Sequence, residues 1–145
     1  MNLFIKNEQE IAALRESCRH LAQILDEVLQ SAQAGVSTLE LDTLAEKRMR
    51  EVGGVPIFKG YGAESGRPFP GSICSSINEE VVHGIPSKDR ILKDGDILKV
   101  DIGMRYQGMV SDMARSIAIG EVSAEAKRIM QVTEESLLRG IDTLK

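Results

Sequence analysis

The chain has 145 residues with a formal net charge of -4, and 42% of its residues are hydrophobic and 28% charged, a composition typical of one globular domain. It has no basic stripe and only three Phe, two Tyr and no Trp, which argues against direct binding of nucleic acid. The two cysteines form no CxxC pair and no disulfide framework. The start "MNLFIKNEQE" becomes charged at once, and no apolar run approaches the roughly 18 residues that span a bilayer. We therefore expect a cytoplasmic protein without a membrane partner, folded as a single domain over residues 1–145.

Two helices are predicted at the beginning of the chain. Asn7 and Glu10 form a capping box for the first helix, and Gly35 is a plausible end for it. Its apolar stripe consists of Ile11, Leu14, Cys18, Leu21, Leu25 and Val28. Ser37 and Glu40 form a second capping box, and Gly53-Gly54 ends the second helix. The segment 55–71 is rich in Gly and Pro and predicts an irregular loop.

Strands follow, and a last helix closes the chain. "SICSSINEEVVHGIP" indicates short strands and turns, and "DGDILKVDIGM" is the clearest strand. Leu98, Val100 and Ile102 alternate with Lys99 and Asp101 along it. "RYQG" then predicts a hairpin turn, "MVSDMARSIAIG" a return strand, and Ser123 the cap of a final helix. This order of elements indicates the α+β class.

Asp101 and Asp112 lie in the middle of these two predicted strands. A carboxylate among apolar neighbours is unfavourable unless it is paired or binds a metal, and two nearby carboxylates repel each other. In an antiparallel hairpin the two can share one face, which suits one divalent metal or two metals with a bridging water. The alternative is that one aspartate pairs with Arg115 or Lys99 and the other is an exposed strand residue.

Three further side chains are candidates on their residue type. His83, between two valines and a Gly-Ile-Pro turn, can bind metal, donate a hydrogen bond or carry a proton; alternatively it is bonded to backbone. His20 lies in the first helix and is interpreted as structural or solvated. Cys74 has no adjacent activating His or Lys, so we interpret it as a small apolar wall residue and not a nucleophile.

The segment "GSICSSINEEVVHGIPSKDRILKDGDILKVDIGMRYQGMVSDMARSIAIG", together with "IKNEQEIAALRESCRHLAQIL" and "AGVSTLELD", closely resembles the type I methionine aminopeptidases. The resemblance implies a pita-bread fold, in which two related αβ halves enclose a metal site. It implies hydrolysis of the N-terminal methionine of peptides and nascent chains, with the ribosome as a further partner. It also implies two divalent ions, which can be Co, Mn, Fe or Zn.

The resemblance also implies roles for residues of this chain. Asp101 and Asp112 match metal ligands of the family. His83 matches the catalytic histidine that contacts the substrate backbone near the scissile bond and helps to stabilise the tetrahedral species. Cys74 matches a residue of the methionine pocket, and Tyr61 and Phe69 are similar to its aromatic residues.

Family members are about twice as long, and their second half supplies a histidine and two glutamates to the metals. We therefore expect this chain to correspond to an N-terminal half, with weak metal binding, little activity alone and a tendency to self-associate. Two alternatives stay open. "SDMARS" also resembles the proline-specific peptidases of the same fold, although "INEEVVHGIP" argues against them. A non-catalytic relative that binds peptides or proteins is the other, although such relatives usually lose the metal ligands kept here.

Overall fold

The structure, a computed structural model, describes residues 5–144. Its helices and strands run in the order α1 (Glu8–Ser31), α2 (Thr38–Glu51), β1 (Val55–Pro56), β2 (Ile73–Ile77), β3 (Ile97–Tyr106), β4 (Met109–Ala118) and α3 (Ala124–Asp142). The prediction that the start "MNLFIKNEQE" is not a signal peptide rests in part on residues 1–4, which lie outside the described residues. None of the helices described here is both long enough and apolar enough to span a bilayer.

Both predicted capping boxes are present. The Glu10 N–H donates to Asn7 Oδ1 at 2.9 Å, and the Asn7 N–H donates to Glu10 Oε2 at 2.8 Å. Ser37 and Glu40 make the same reciprocal pair at 3.2 and 2.8 Å. These bonds satisfy backbone donors that have no partner within the helix, which is why each helix begins where the sequence indicates.

Three details of the sequence prediction are wrong. Helix α1 ends at Ser31, and Gly35 serves the following turn with a φ of 93°. Ile11 and Cys18 of the predicted stripe are exposed, and Ser17 is buried instead, where its Oγ bonds Ser111 Oγ of β4 at 2.7 Å. The segment 55–71 begins with a strand, because Val55 pairs with Arg105 of β3 before the chain becomes irregular.

The sheet is antiparallel, and β3 is its central strand. One edge of β3 pairs with β2 and then β1, and the other edge pairs with β4 along its full length. The β3–β4 turn places Gln107 and Gly108 at φ values of 47° and 79°, the positive values that a tight hairpin needs. The predicted "RYQG" turn is therefore confirmed.

The two faces of β3 have different chemistry. Leu98, Val100, Ile102 and Met104 have no exposed surface and pack in one core with apolar residues of α1 and α2. Each such side chain stabilises the fold by roughly 1.5–3 kcal/mol. Because side chains alternate along a strand, Lys99, Asp101 and Gly103 are directed to the opposite face. The core therefore fixes which face carries the aspartates.

Candidate metal and substrate site

Asp101 and Asp112 lie on the same face of the β3–β4 hairpin. Asp101 is opposite Ala114, and Asp112 is opposite Gly103, so the aspartates are diagonal neighbours. Residues paired across antiparallel strands direct their side chains to one side, which places both carboxylates on the face away from the core. The common face predicted from the sequence is confirmed, and the role of the two aspartates as metal ligands stays a prediction.

The carboxylate of Asp101 is in an unfavourable environment. Its Oδ1 atom is buried and has no hydrogen-bond partner among the described residues. Burial raises the pKa of Asp101, and the charge of Asp112 raises it further. A positive charge on His83 and the Ile102 N–H act in the opposite direction. A buried acceptor that lacks a partner, beside a second carboxylate, is the arrangement that a cation would relieve.

The alternative that Arg115 or Lys99 pairs with one aspartate of the hairpin is wrong, although Asp112 is exposed, as the second part of that alternative expected. Arg115 Nη1 donates to Asp26 of α1 at 2.5 Å. Lys99 Nζ donates to the backbone carbonyl of Asn78. Both cations are therefore engaged elsewhere, and neither forms a described bond with Asp101 or Asp112.

Cys74 borders the carboxylates on the neighbouring strand. It lies on β2 directly opposite Asp101 and is 5% exposed. Burial, followed by the charges of Asp101 and Asp112, raises the pKa of its thiol to about 11. The thiol therefore stays protonated at neutral pH, which fits the prediction of an apolar wall residue and opposes a nucleophilic role.

The start of β2, and with it Cys74, is anchored by α2. Asp42 Oδ1 accepts hydrogen bonds from the Ser72 N–H at 2.6 Å and the Ile73 N–H at 3.0 Å. Burial raises the pKa of Asp42 despite these two bonds. Glu46, one helical turn further along α2, bonds Lys59, Arg50 and Ser72, and these bonds lower its pKa to about 2.

His83 lies in the loop between β2 and β3. Its φ is 60°, which is uncommon for a residue with a Cβ, and its side chain is exposed. The alternative of a histidine ring bonded to backbone is wrong, since the described residues make no hydrogen bond to its ring. The next residue is fixed to β2: the Ser75 N–H donates to the Gly84 carbonyl at 2.8 Å, and the Gly84 N–H donates to Ser76 Oγ at 3.1 Å. Ser76 shares the face of Asp101, and His83 is near enough for its charge to lower the pKa of Asp101.

The predicted aromatic residues lie together in the loop after β1. The Phe69 N–H donates to the Tyr61 carbonyl at 2.8 Å, so their backbones are paired. The Tyr61 side chain is 76% exposed, and Phe69 is partly buried. The structure gives neither residue a contact with the aspartates, and their place in a methionine pocket stays a prediction.

Two side chains that the sequence analysis missed lie on the face of the aspartates. A Cβ on Gly103 would lie 2.7 Å from Ile57 Cδ1 and 3.0 Å from Phe58 Cε1, so both side chains pack over this glycine. Gly103 is opposite Asp112. The signal in the sequence was the glycine itself, because glycine inside a strand often marks a close approach of another group.

The two aspartates suit a hard or borderline divalent cation, but they provide few ligands. Asp101 and Asp112 offer carboxylate oxygens, which bind such ions. Within residues 5–144 no group of three or more His, Cys, Asp or Glu side chains is placed to hold a metal. The aspartates therefore fit part of a metal site, and tight binding requires further ligands.

Comparison with known proteins identifies the family of the chain. Residues 12–145 match metallopeptidase family M24, and the chain belongs to this family. It is 45% identical over 140 residues to the methionine aminopeptidase of Clostridium acetobutylicum, which covers 97% of this chain and 54% of that protein. It is 41% identical to methionine aminopeptidase 1 of Bacillus subtilis, covering 99% and 55%. The chain thus spans about half the length of these curated relatives.

Solved structures agree with the fold. The methionine aminopeptidase of Thermotoga maritima matches with a TM-score of 0.91 and 35% identity, covering 97% of this chain and 55% of that one. An Xaa-Pro dipeptidase from Bacillus anthracis matches with a TM-score of 0.77 and 28% identity, covering 94% and 35%. The predicted α+β class, the pita-bread fold and the resemblance to methionine aminopeptidases are confirmed.

Proposed function

We propose that this chain contributes to a metal-dependent aminopeptidase that removes the N-terminal methionine of peptides and nascent proteins. The observation that carries this proposal is the buried Oδ1 of Asp101, which lacks a partner and shares its face with Asp112. Membership of a metallopeptidase family and the similarity to methionine aminopeptidases support it. The single domain over residues 1–145, the cytoplasmic location and a contact with the ribosome stay predictions.

Asp101 and Asp112 would hold the divalent ions, for which Co, Mn, Fe and Zn are all compatible with oxygen and mixed ligands. Bound there, a divalent cation supplies Lewis-acid chemistry that polarises a peptide carbonyl and activates a water molecule. The proposed role of His83 is to donate a hydrogen bond to the substrate carbonyl oxygen as negative charge develops on it. The protonated Cys74, with Tyr61, Phe69 and the neighbouring Phe58, would form apolar surface for a thioether side chain.

The other candidate functions have less support. A proline-specific peptidase is favoured by the Xaa-Pro dipeptidase match, but that match is weaker in both identity and TM-score than the match to a methionine aminopeptidase. A non-catalytic peptide-binding relative would have no use for two carboxylates on one face, one of them buried without a partner.

The proposal is tested by release of methionine from a Met-Ala-Ser peptide, with Co²⁺ or Mn²⁺ added to the purified chain. We expect slow, metal-dependent release or none from the chain alone, and an increase when the remaining half of a related methionine aminopeptidase is added as a separate polypeptide. Asp112→Asn is the control and should abolish any release. Methionine release that persists in Asp112→Asn contradicts the proposal. Cleavage of an Xaa-Pro dipeptide in preference to Met-Ala-Ser also contradicts it.

We also propose that the chain self-associates through α3. No residue of this helix is buried, and Ile129, Leu137 and Ile141 are 59%, 62% and 53% exposed on one side of it. Leu137→Glu is expected to shift the chain towards the monomer in sedimentation velocity. Arg128→Gln, at an exposed position on a different side of α3, makes the same change in net charge and is the matched control, which should leave the distribution unchanged. A wild-type chain that is fully monomeric at micromolar concentration contradicts this.

A further inference from the structure

Arg90 joins the two sides of the loop that carries His83. Its Nη1 donates to the Ile85 carbonyl at 2.7 Å, and its Nη2 contacts Glu80 Oε2 in a short ion pair. The same Glu80 oxygen accepts the Ile77 N–H at the end of β2, at 2.8 Å. The side chain of Arg90 is 24% exposed, so this contact is partly shielded from solvent.

Polar contacts attach the part of this loop around His83, whereas further along the loop Pro86 is buried against Gly71. Val81 and Val82 are 80% and 60% exposed, and Ile85 is 51% exposed, so none of them anchors the loop in the core. A non-glycine residue at positive φ, such as His83 at 60°, persists only where its surroundings enforce that backbone conformation. The bonds of Arg90 and Glu80, with those of Gly84 to β2, are the described contacts able to do so.

We propose that Arg90, acting with Glu80, is a positioning residue that holds His83 beside Asp101. The inference rests on the proposed role of His83 as a donor to the substrate. Arg90 bonds the chain on both sides of His83, at Glu80 and at Ile85, and fixes the path of the backbone between them. A bidentate guanidinium suits this task, because its two donors bridge a carboxylate and a carbonyl in one plane.

The test is nuclear magnetic resonance of the full chain with Arg90→Ala and Arg90→Lys. The sequence contains only two histidines, so the imidazole spectrum reports His83 directly and His20 serves as an internal reference. His20 packs against Tyr106 with ring centroids 5.2 Å apart, on a different part of the structure. Arg15→Ala, at an exposed arginine of α1, is the matched control.

In Arg90→Ala we expect the His83 signal to move towards the shift of an unfolded histidine while the His20 signal stays in place. Hydrogen exchange of the Gly84 amide should become about tenfold faster or more, because loss of the Arg90–Glu80 ion pair makes the loop easier to open. Arg90→Lys keeps the positive charge but cannot bond Glu80 and the Ile85 carbonyl with two separate nitrogens. It should therefore give smaller changes in the His83 signal and in Gly84 exchange. Arg15→Ala should change neither signal.

An unchanged His83 signal with unchanged Gly84 exchange in Arg90→Ala overturns the inference. A His20 signal and an unfolding midpoint that move together with the His83 signal also overturn it, because Arg90 would then support the whole fold. Methionine release is measured on the same proteins. If the wild type releases none under any metal even when the remaining half of a related methionine aminopeptidase is added, the proposed function fails for this chain, and the spectra still decide whether Arg90 positions His83.

Discussion

Asp101→Asn is expected to be more stable than the wild type without a divalent ion and to lose this advantage when the ion is bound. Without metal, the variant should be roughly 1 kcal/mol more stable than the wild type, because a desolvated carboxylate next to Asp112 is replaced by a neutral amide. With metal at about 100 times the wild-type dissociation constant, the wild type should gain about 2.7 kcal/mol, while a variant that binds at least tenfold more weakly should gain at most about 1.4 kcal/mol. Urea unfolding at pH 7 measures the free energy of unfolding of both proteins with and without Mn²⁺.

The same change should weaken binding of Mn²⁺ about tenfold or more, since one of two carboxylate ligands is lost. Asp89→Asn is the matched control: it removes one exposed carboxylate from the β2–β3 loop and should leave the affinity and the metal-free stability near those of the wild type. Equal Mn²⁺ affinity in the wild type and Asp101→Asn would contradict the proposed metal site. A metal-free Asp101→Asn that is clearly less stable would contradict the argument about repulsion.

The β3–β4 hairpin shows how much of the fold local sequence determines. Leu98, Val100 and Ile102 alternate with polar residues, and this period of two gives the strand and its buried face. The Gln107-Gly108 turn sets the length of the connection and therefore the register of the strands. Register in turn places Asp112 on the face of Asp101, so the common face of the two carboxylates could be predicted without coordinates.

Contacts between segments far apart in the chain could not be predicted in this way. Phe58 reaches Gly103, Asp42 reaches the start of β2, and Ser17 reaches Ser111, and none of these pairs is linked by a local period or turn signal. The exposed Cys18 illustrates the same limit. Its apolar character and helical spacing predicted burial, but at this turn of α1 the buried residue is Ser17, which bonds β4, while Leu21 and Leu25 are buried as predicted.

Gly84→Ala is expected to destabilise the chain by about 2–3 kcal/mol, as overpacking against a rigid neighbour does. A Cβ on Gly84 would overlap the Ser75 carbonyl group, lying 2.7 Å from its carbon and 2.8 Å from Ser76 Cα. These are backbone atoms of β2 and cannot rotate away as a side chain can. The loop must therefore move off the strand, which breaks the Ser75–Gly84 bond of 2.8 Å and displaces His83.

Gly140→Ala is the matched control because nothing lies within 4 Å of a Cβ at this position of α3. Alanine favours a helix interior over glycine, so this variant should be more stable by about 0.5–1 kcal/mol. The same substitution is thus expected to change the free energy of unfolding in opposite directions at the two sites, as measured by urea unfolding. Amide exchange at Ser75 separates the causes, since Gly84→Ala should accelerate it strongly and Gly140→Ala should not. A Gly84→Ala chain with unchanged stability and unchanged Ser75 exchange would mean that the loop does not rest on β2, and that His83 is not held beside Asp101 by this contact.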